Sequence, residues 1–154
     1  MKHMKKIASL LLALTMVFAL ATTAFAQDVG TDASDKGTIT ISNAAKGETY
    51  SVYKLFNATV SADNKIAYTG DIPTGLDAYF IKDSAGNITA TEAAKNGANM
   101  SDGLKEALAT WAKNATPSAD ATVSDGSTLN FKGLDYGYYV ITSTQGNTNT
   151  ISVD

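Results

Sequence analysis

The stretch Phe131-Lys-Gly-Leu-Asp-Tyr-Gly-Tyr-Tyr-Val140 decides how this chain reads. Gly133 and Gly137 stand where a backbone reversal favours residues tolerant of positive φ, so residues 132–137 are expected to form a turn. The run that follows, Tyr138-Tyr-Val-Ile-Thr-Ser143, is aromatic and β-branched, the composition of a half-buried strand. A turn that launches such a strand points to a β-domain.

Reading outward from that stretch, Thr128-Leu-Asn-Phe131 is a short strand on one side. On the other, Thr144-Gln-Gly-Asn147 reverses the chain into a strand over residues 148–153. Nearer the start, Thr38-Ile-Thr-Ile-Ser42 alternates with period two, with Ile39 and Ile41 inward, and Asn43-Ala-Ala-Lys-Gly47 is a turn. Residues 48–61 carry Tyr50, Val52, Tyr53, Leu55, Phe56 and Val60, a long strand expected to bend near Asn57. Ala62-Asp-Asn-Lys65 closes a hairpin onto Ile66-Ala-Tyr68, and spacing this short implies antiparallel neighbours.

Residues 69–100 follow no single period. Leu76-Asp-Ala-Tyr-Phe-Ile81 suits a helical turn or a strand, and Asp83-Ser-Ala-Gly-Asn87 is a turn. Thr89-Ala-Thr-Glu92 has the spacing of a capping box. Residues 101–114 are the one helix, with Ser101 as N-cap and Asp102 at the positive end of the dipole. Leu104, Leu108 and Trp111 share a stripe, with Ala107 and Ala115 beside it, while Lys105, Glu106 and Lys113 face water. Trp111 reads as core rather than as a ligand platform. Pro117 ends the segment, and a Ser/Ala/Asp-rich linker leads to residue 128.

Residues 1–26 read as a signal peptide. Lys2, Lys5 and Lys6 make a basic start, residues 7–21 an apolar run, and Ala24-Phe25-Ala26 the small residues before a cleavage between Ala26 and Gln27. The apolar run is short for a membrane span, so none is expected in the mature chain. Residues 27–36 are small and polar, a flexible leader to a single domain over residues 37–154. The sequence stops within a strand pattern, so a longer protein is expected.

Composition removes several classes of chemistry. The chain has no cysteine and no arginine, and its one histidine, His3, lies in the signal segment. An imidazole shuttle, a thiolate nucleophile, a soft-metal site and a disulfide framework are therefore not expected, nor is any cofactor. Three of the twelve basic residues fall before residue 27, so nine lysines face fifteen carboxylates, a net charge of −6. An acidic, arginine-free surface speaks against nucleic acid and anionic membrane as partners.

Two segments, Gly47-Glu-Thr-Tyr-Ser-Val-Tyr-Lys-Leu-Phe56 and Phe131-Lys-Gly-Leu-Asp-Tyr-Gly-Tyr-Tyr-Val140, with the helix between them, resemble the N-terminal domain of Gram-positive sortase-assembled pilins. These are fimbrial, isopeptide-forming-domain proteins of the SpaA type, and the resemblance covers residues 36–154. It implies an all-β, Ig-like β-sandwich related to collagen-adhesin B-type domains, here with one inserted α-helix. It also implies a cell-wall location and, as partners, other pilin subunits and sortase, with host or bacterial surface ligands. In that family sortase joins the sorting signal of one subunit to a lysine of the next. No Leu-Pro-x-Thr-Gly signal and no Tyr-Pro-Lys motif is present, and the two prolines lie in Ile72-Pro-Thr74 and Thr116-Pro-Ser118.

Some members of the family carry an internal Lys–Asn isopeptide bond promoted by a buried acid. Lys36 near the first strand and Asn147 or Asn149 near the last are candidates by position, against the simpler reading of a solvated lysine and two hairpin asparagines. Lys54 and Lys132 are candidates of the same kind for sortase acceptors. Tyr136, Tyr138 and Tyr139 form either an aromatic ligand patch or part of the core. The chain is not expected to be an enzyme, since only carboxylate pairs such as Asp71 with Asp77 or Asp120 with Asp125 are on offer for glycoside chemistry. The alternative to the pilin reading is a secreted carbohydrate-binding β-sandwich module.

Overall fold

The computed structural model describes residues 26–125 and 128–154; the signal-peptide reading, apart from Ala26, lies outside the described residues. Chain order begins β1 (Ala26–Val29), β2 (Gly37–Ile41), β3 (Thr49–Val60) and β4 (Ile66–Thr69). Short strands β5 (Phe80–Lys82) and β6 (Ile88–Ala90) follow, then a 3-10 turn over Glu92–Ala94 and the pair β7 (Lys95–Asn96) and β8 (Asn99–Met100). Helix α1 (Asp102–Asn114) leads to β9 (Ala119–Thr122), β10 (Thr128–Leu134), β11 (Gly137–Ser143) and β12 (Thr148–Val153). The described residues are thus mostly β-sheet, with one α-helix.

The larger sheet runs β12-β11-β3-β4, and β9 pairs with the first part of β3 while β4 pairs with its last part. The smaller sheet runs β1-β10-β2, with β1 parallel to β10 and β2 antiparallel to it. Between the two sheets lies a core of Ile39, Ile41, Tyr50, Val52, Leu129, Phe131, Tyr139 and Ile141. The opposite face of the larger sheet carries a second core. There Phe56, Tyr68, Tyr138 and Val140 meet Leu76, Phe80 and Ile88 of the 70–100 segment and Leu104 and Leu108 of α1.

Strand β11 shows what this layering does. Its first five residues are all buried, not alternately buried and exposed as a half-buried strand would be. Tyr138 and Val140 enter the helix-side core, whereas Tyr139 and Ile141 enter the core between the sheets. A sheet covered on both faces leaves no solvent side for a strand to alternate toward. The expectation of a half-buried strand is corrected accordingly.

The bend expected near Asn57 is found two residues earlier, as a β-bulge. Tyr138 faces Phe56 and Tyr139 faces Lys54, so Leu55 is the extra residue. One added residue reverses the side-chain alternation. Tyr50 and Val52 therefore point between the sheets, while Phe56 and Ala58 point to the helix.

The turn between β10 and β11 is shorter than expected, because β10 continues through Leu134. Gly133 has the anticipated positive φ, 71°, but Gly137 does not take positive φ. Gly137 is required by proximity instead: a Cβ there would stand 2.6 Å from the Phe56 carbonyl oxygen.

Helix α1 begins as expected, with the Ser101 hydroxyl accepting from the Leu104 amide at 3.2 Å. The same hydroxyl donates to the Ala93 carbonyl at 2.8 Å, tying the helix to the 3-10 turn. Leu104, Leu108 and Ala112 form the buried stripe, and each leucine contributes about 1.5–3 kcal/mol by burial. The capping box at Thr89–Glu92 is absent: Thr89 and Ala90 lie in β6, and Thr91 precedes the 3-10 turn without a side-chain cap.

Two segments differ from the expected leader and linker. Residues 26–29 form β1 rather than flexible chain. The Gln27 side-chain amide donates to the Thr122 carbonyl and accepts from the Ser124 amide, each at 2.9 Å. Residues 119–122 form β9 on the edge of β3.

Candidate functional site

Lysines and carboxylates gather where β10 turns into β11. Asp135 accepts a hydrogen bond from Lys36 Nζ and lies 3.6 Å from Lys54 Nζ. Nearby on β10, Lys132 Nζ stands 3.1 Å from Asp28 and 3.7 Å from Asp32. The Lys36 hydrogen bond and charge hold the Asp135 carboxyl below the usual range, and Asp135 in turn raises the Lys36 amine. Asn130 and Lys132 lower Asp28 in the same way, and Asp28 raises Lys132. Lys36, Asp28 and Asp135 are exposed and Lys54 and Lys132 partly so, and solvent-screened ion pairs of this kind add little to stability.

This arrangement bears on the candidates for an internal covalent bond. Isopeptide formation needs a neutral amine in a dry pocket. Lys36 is exposed and held protonated by Asp135. Gly37, its neighbour, lies against Val153 at one end of β12, whereas Asn147 lies in the turn beyond the other end. At about 3.3 Å per residue, Asn149 is about 13 Å along the strand from Val153 and Asn147 about 20 Å. The fold does not bring Lys36 together with Asn147 or Asn149. Lys54 and Lys132, the acceptor candidates, are each engaged with carboxylates.

The three tyrosines of the deciding stretch do not form a patch. Tyr138 and Tyr139 are fully buried, and Tyr136 is half-buried against both cores. The Tyr138 hydroxyl donates to Thr150 Oγ1 at 2.9 Å, and the Tyr139 hydroxyl to the Asp135 carbonyl at 2.7 Å. Burial pushes Tyr138 far up and Tyr139 up to about 12, so both stay neutral hydrogen-bonding core groups.

The carboxylates considered for glycoside chemistry are dispersed over the surface. Asp71 is fully exposed, 3.7 Å from Lys82, and Asp77, Asp120 and Asp125 are exposed too. Among the described residues no three His, Cys, Asp or Glu side chains gather as metal ligands would. No helix among the described residues is long and apolar enough to cross a membrane.

A surface concavity lies where α1 faces the Thr74–Gly75 turn, a feature that no sequence motif announced. It measures about 410 Å³ and is lined by Tyr79, Glu106, Thr110, Trp111 and Asn114 with that turn. Trp111 is half-buried, its ring edge-on to Tyr53 at 5.9 Å and 65°. Gly103 opens the first turn of the helix so that the Tyr79 hydroxyl can approach; a Cβ there would stand 2.8 Å from it.

No family model matches this chain, and no curated protein matches it either.

Proposed function

We propose that the protein is a load-bearing subunit of an exported surface fibre, an Ig-like sandwich of the sortase-assembled pilin kind. The observation that carries this reading is the direction of the terminal strands. The chain enters β1 beside Thr128, at one end of β10, and leaves β12 beside Gly137, next to the other end of β10. Tension applied between the start of the mature chain and Val153 would run along β1 and β12 and load their ladders in shear. In shear every inter-strand hydrogen bond resists together, whereas peeling breaks them one pair at a time.

Other features support the reading. The signal-like start suits an exported domain, and one without cysteine is held by its core and not by disulfides. The Tyr139 hydroxyl reaches back to the carbonyl of Asp135, as the tyrosine corner of Ig-like sandwiches does.

Single-molecule pulling tests the mechanical part. Handles at residues 27 and 153 of the mature chain are expected to give a higher unfolding force than handles at residue 27 and Gly146→Cys. The latter pair sits at one end of the strands and peels β1. Equal or lower force between residues 27 and 153 would overturn the load-bearing role. Expression of the full gene with a wall sortase is expected to give boiling-resistant ladders of high mass, and a single monomer band would overturn covalent assembly.

A further inference from the structure

We propose that the concavity between α1 and the Thr74–Gly75 turn binds a neutral saccharide, of one or two sugar units by its size. The inference goes beyond the fibre reading and stands without it. Its basis is the contrast between hydroxyls used by the fold and hydroxyls left over. Tyr50, Tyr68, Tyr138 and Tyr139 each place their hydroxyl in an internal hydrogen bond. Tyr79 does not, nor do the half-buried Tyr53 and Tyr136, but of these three only Tyr79 lines the concavity, its hydroxyl beside Gly103. The side-chain oxygens of Thr74, Glu106 and Thr110 on the same wall also make no internal hydrogen bond among the described residues. Asn114 donates to the Thr110 carbonyl at 3.2 Å and keeps its own oxygen for a ligand.

Hydroxyl donors and acceptors, an amide oxygen and a carboxylate thus converge beside one indole. Vicinal hydroxyls, which donate and accept at once, complement such a mixed set, while the C–H face of a sugar ring suits an aromatic surface. Glu106 is the only charged side chain of the wall, so an anionic ligand is repelled. A cationic ligand would leave the hydroxyl donors unused. Tyr53 fixes the indole edge-on, which limits the ordering that binding would demand.

Trp111 is the only tryptophan in the chain, so emission under excitation that selects tryptophan over the seven tyrosines reports on this place. The test is a titration of the folded protein with glucose, galactose, N-acetylglucosamine, lactose and chitobiose, with sialyllactose and lysine methyl ester as charged arms. A saturable change in emission with at least one neutral sugar is expected, and none with sialyllactose. Thr110 is exposed, so Thr110→Val should keep the fold and weaken binding roughly threefold to tenfold, the loss of one neutral hydrogen bond. Gly103→Ala favours the helix yet displaces the Tyr79 hydroxyl, and should weaken binding without lowering stability. No saturable change with any neutral sugar would overturn the proposal. So would a response confined to lysine methyl ester, or sugar binding that both variants leave unaltered.

Discussion

Replacing Gly137 by alanine tests whether the bulge on β3 and the start of β11 are as close as described. The substitution adds a single methyl at a position without positive φ, so any cost comes from contact and not from backbone conformation. That Cβ would lie 2.6 Å from the Phe56 carbonyl oxygen and 3.0 Å from two methylene carbons of Lys54. An ordinary contact begins at 3.4 Å, so the two backbones must part by 3.4 − 2.6 = 0.8 Å. Forced displacement of this kind in a packed interior costs about 1–3 kcal/mol. The stiffer unfolded chain offsets about 0.4–1 kcal/mol of that, leaving a net loss centred on about 1.3 kcal/mol and at most about 2.6 kcal/mol.

Urea unfolding followed by circular dichroism should show a lower midpoint with an unchanged slope. Adding Lys54→Ala should not restore the midpoint, because the closest neighbour is main chain and not the lysine stem. An alanine variant as stable as the parent would refute the close approach. Full rescue by Lys54→Ala would show that the side chain, not the carbonyl, sets the limit.

Ser101→Ala removes both the cap on Leu104 and the tie to Ala93, and should cost about 1 kcal/mol or somewhat more in the same urea assay. Leu108→Ala, at a fully buried position, should cost about 2–5 kcal/mol, and a loss below 1 kcal/mol would mean that α1 is not seated on the sheet. Burial raises Tyr68, Tyr138 and Tyr139, the last up to about 12, while tyrosines of the unfolded chain ionise near about 10. Stability is therefore full below about pH 10 and falls as pH rises toward the folded values, so phenolate absorbance from these three should appear together with loss of circular dichroism. Ionisation of all seven tyrosines near about pH 10 with the sheet signal intact would contradict this. At the acid end Asp28 and Asp135 are lowered, so they stabilise above about pH 3.9 and lose that contribution as pH falls through their folded values. The double variant Asp28→Asn, Asp135→Asn should flatten the acid limb of a melting-temperature profile.

What was legible in the sequence was local. The alternation of Ile39 and Ile41, the hairpin from β3 to β4, the Ser101 cap and the turn at residues 144–147 each lie within a few residues of their cause. The parallel pairing of β1 with β10 joins residues about a hundred positions apart, and polar Gln27 and Asp28 carry no period to announce it. β9 is equally silent, because Ala119, Asp120, Ala121 and Thr122 are small and sit on a sheet edge. Gly137 is needed for a reason the local sequence does not carry, the tertiary approach of the Phe56 carbonyl and not a positive φ. The concavity at Trp111 has no local signature, because its wall joins α1 to a turn some thirty residues earlier and the tryptophan fits a helix stripe as well as a rim.

Because neighbouring side chains of β11 are committed to opposite interiors, the strand acts as a party wall between them. Neither chamber can loosen while its neighbour stays sealed, so the molecule should give way all at once and not by gradual creep. The amides of Tyr138 through Ile141 should be the last in the protein to exchange with solvent deuterium.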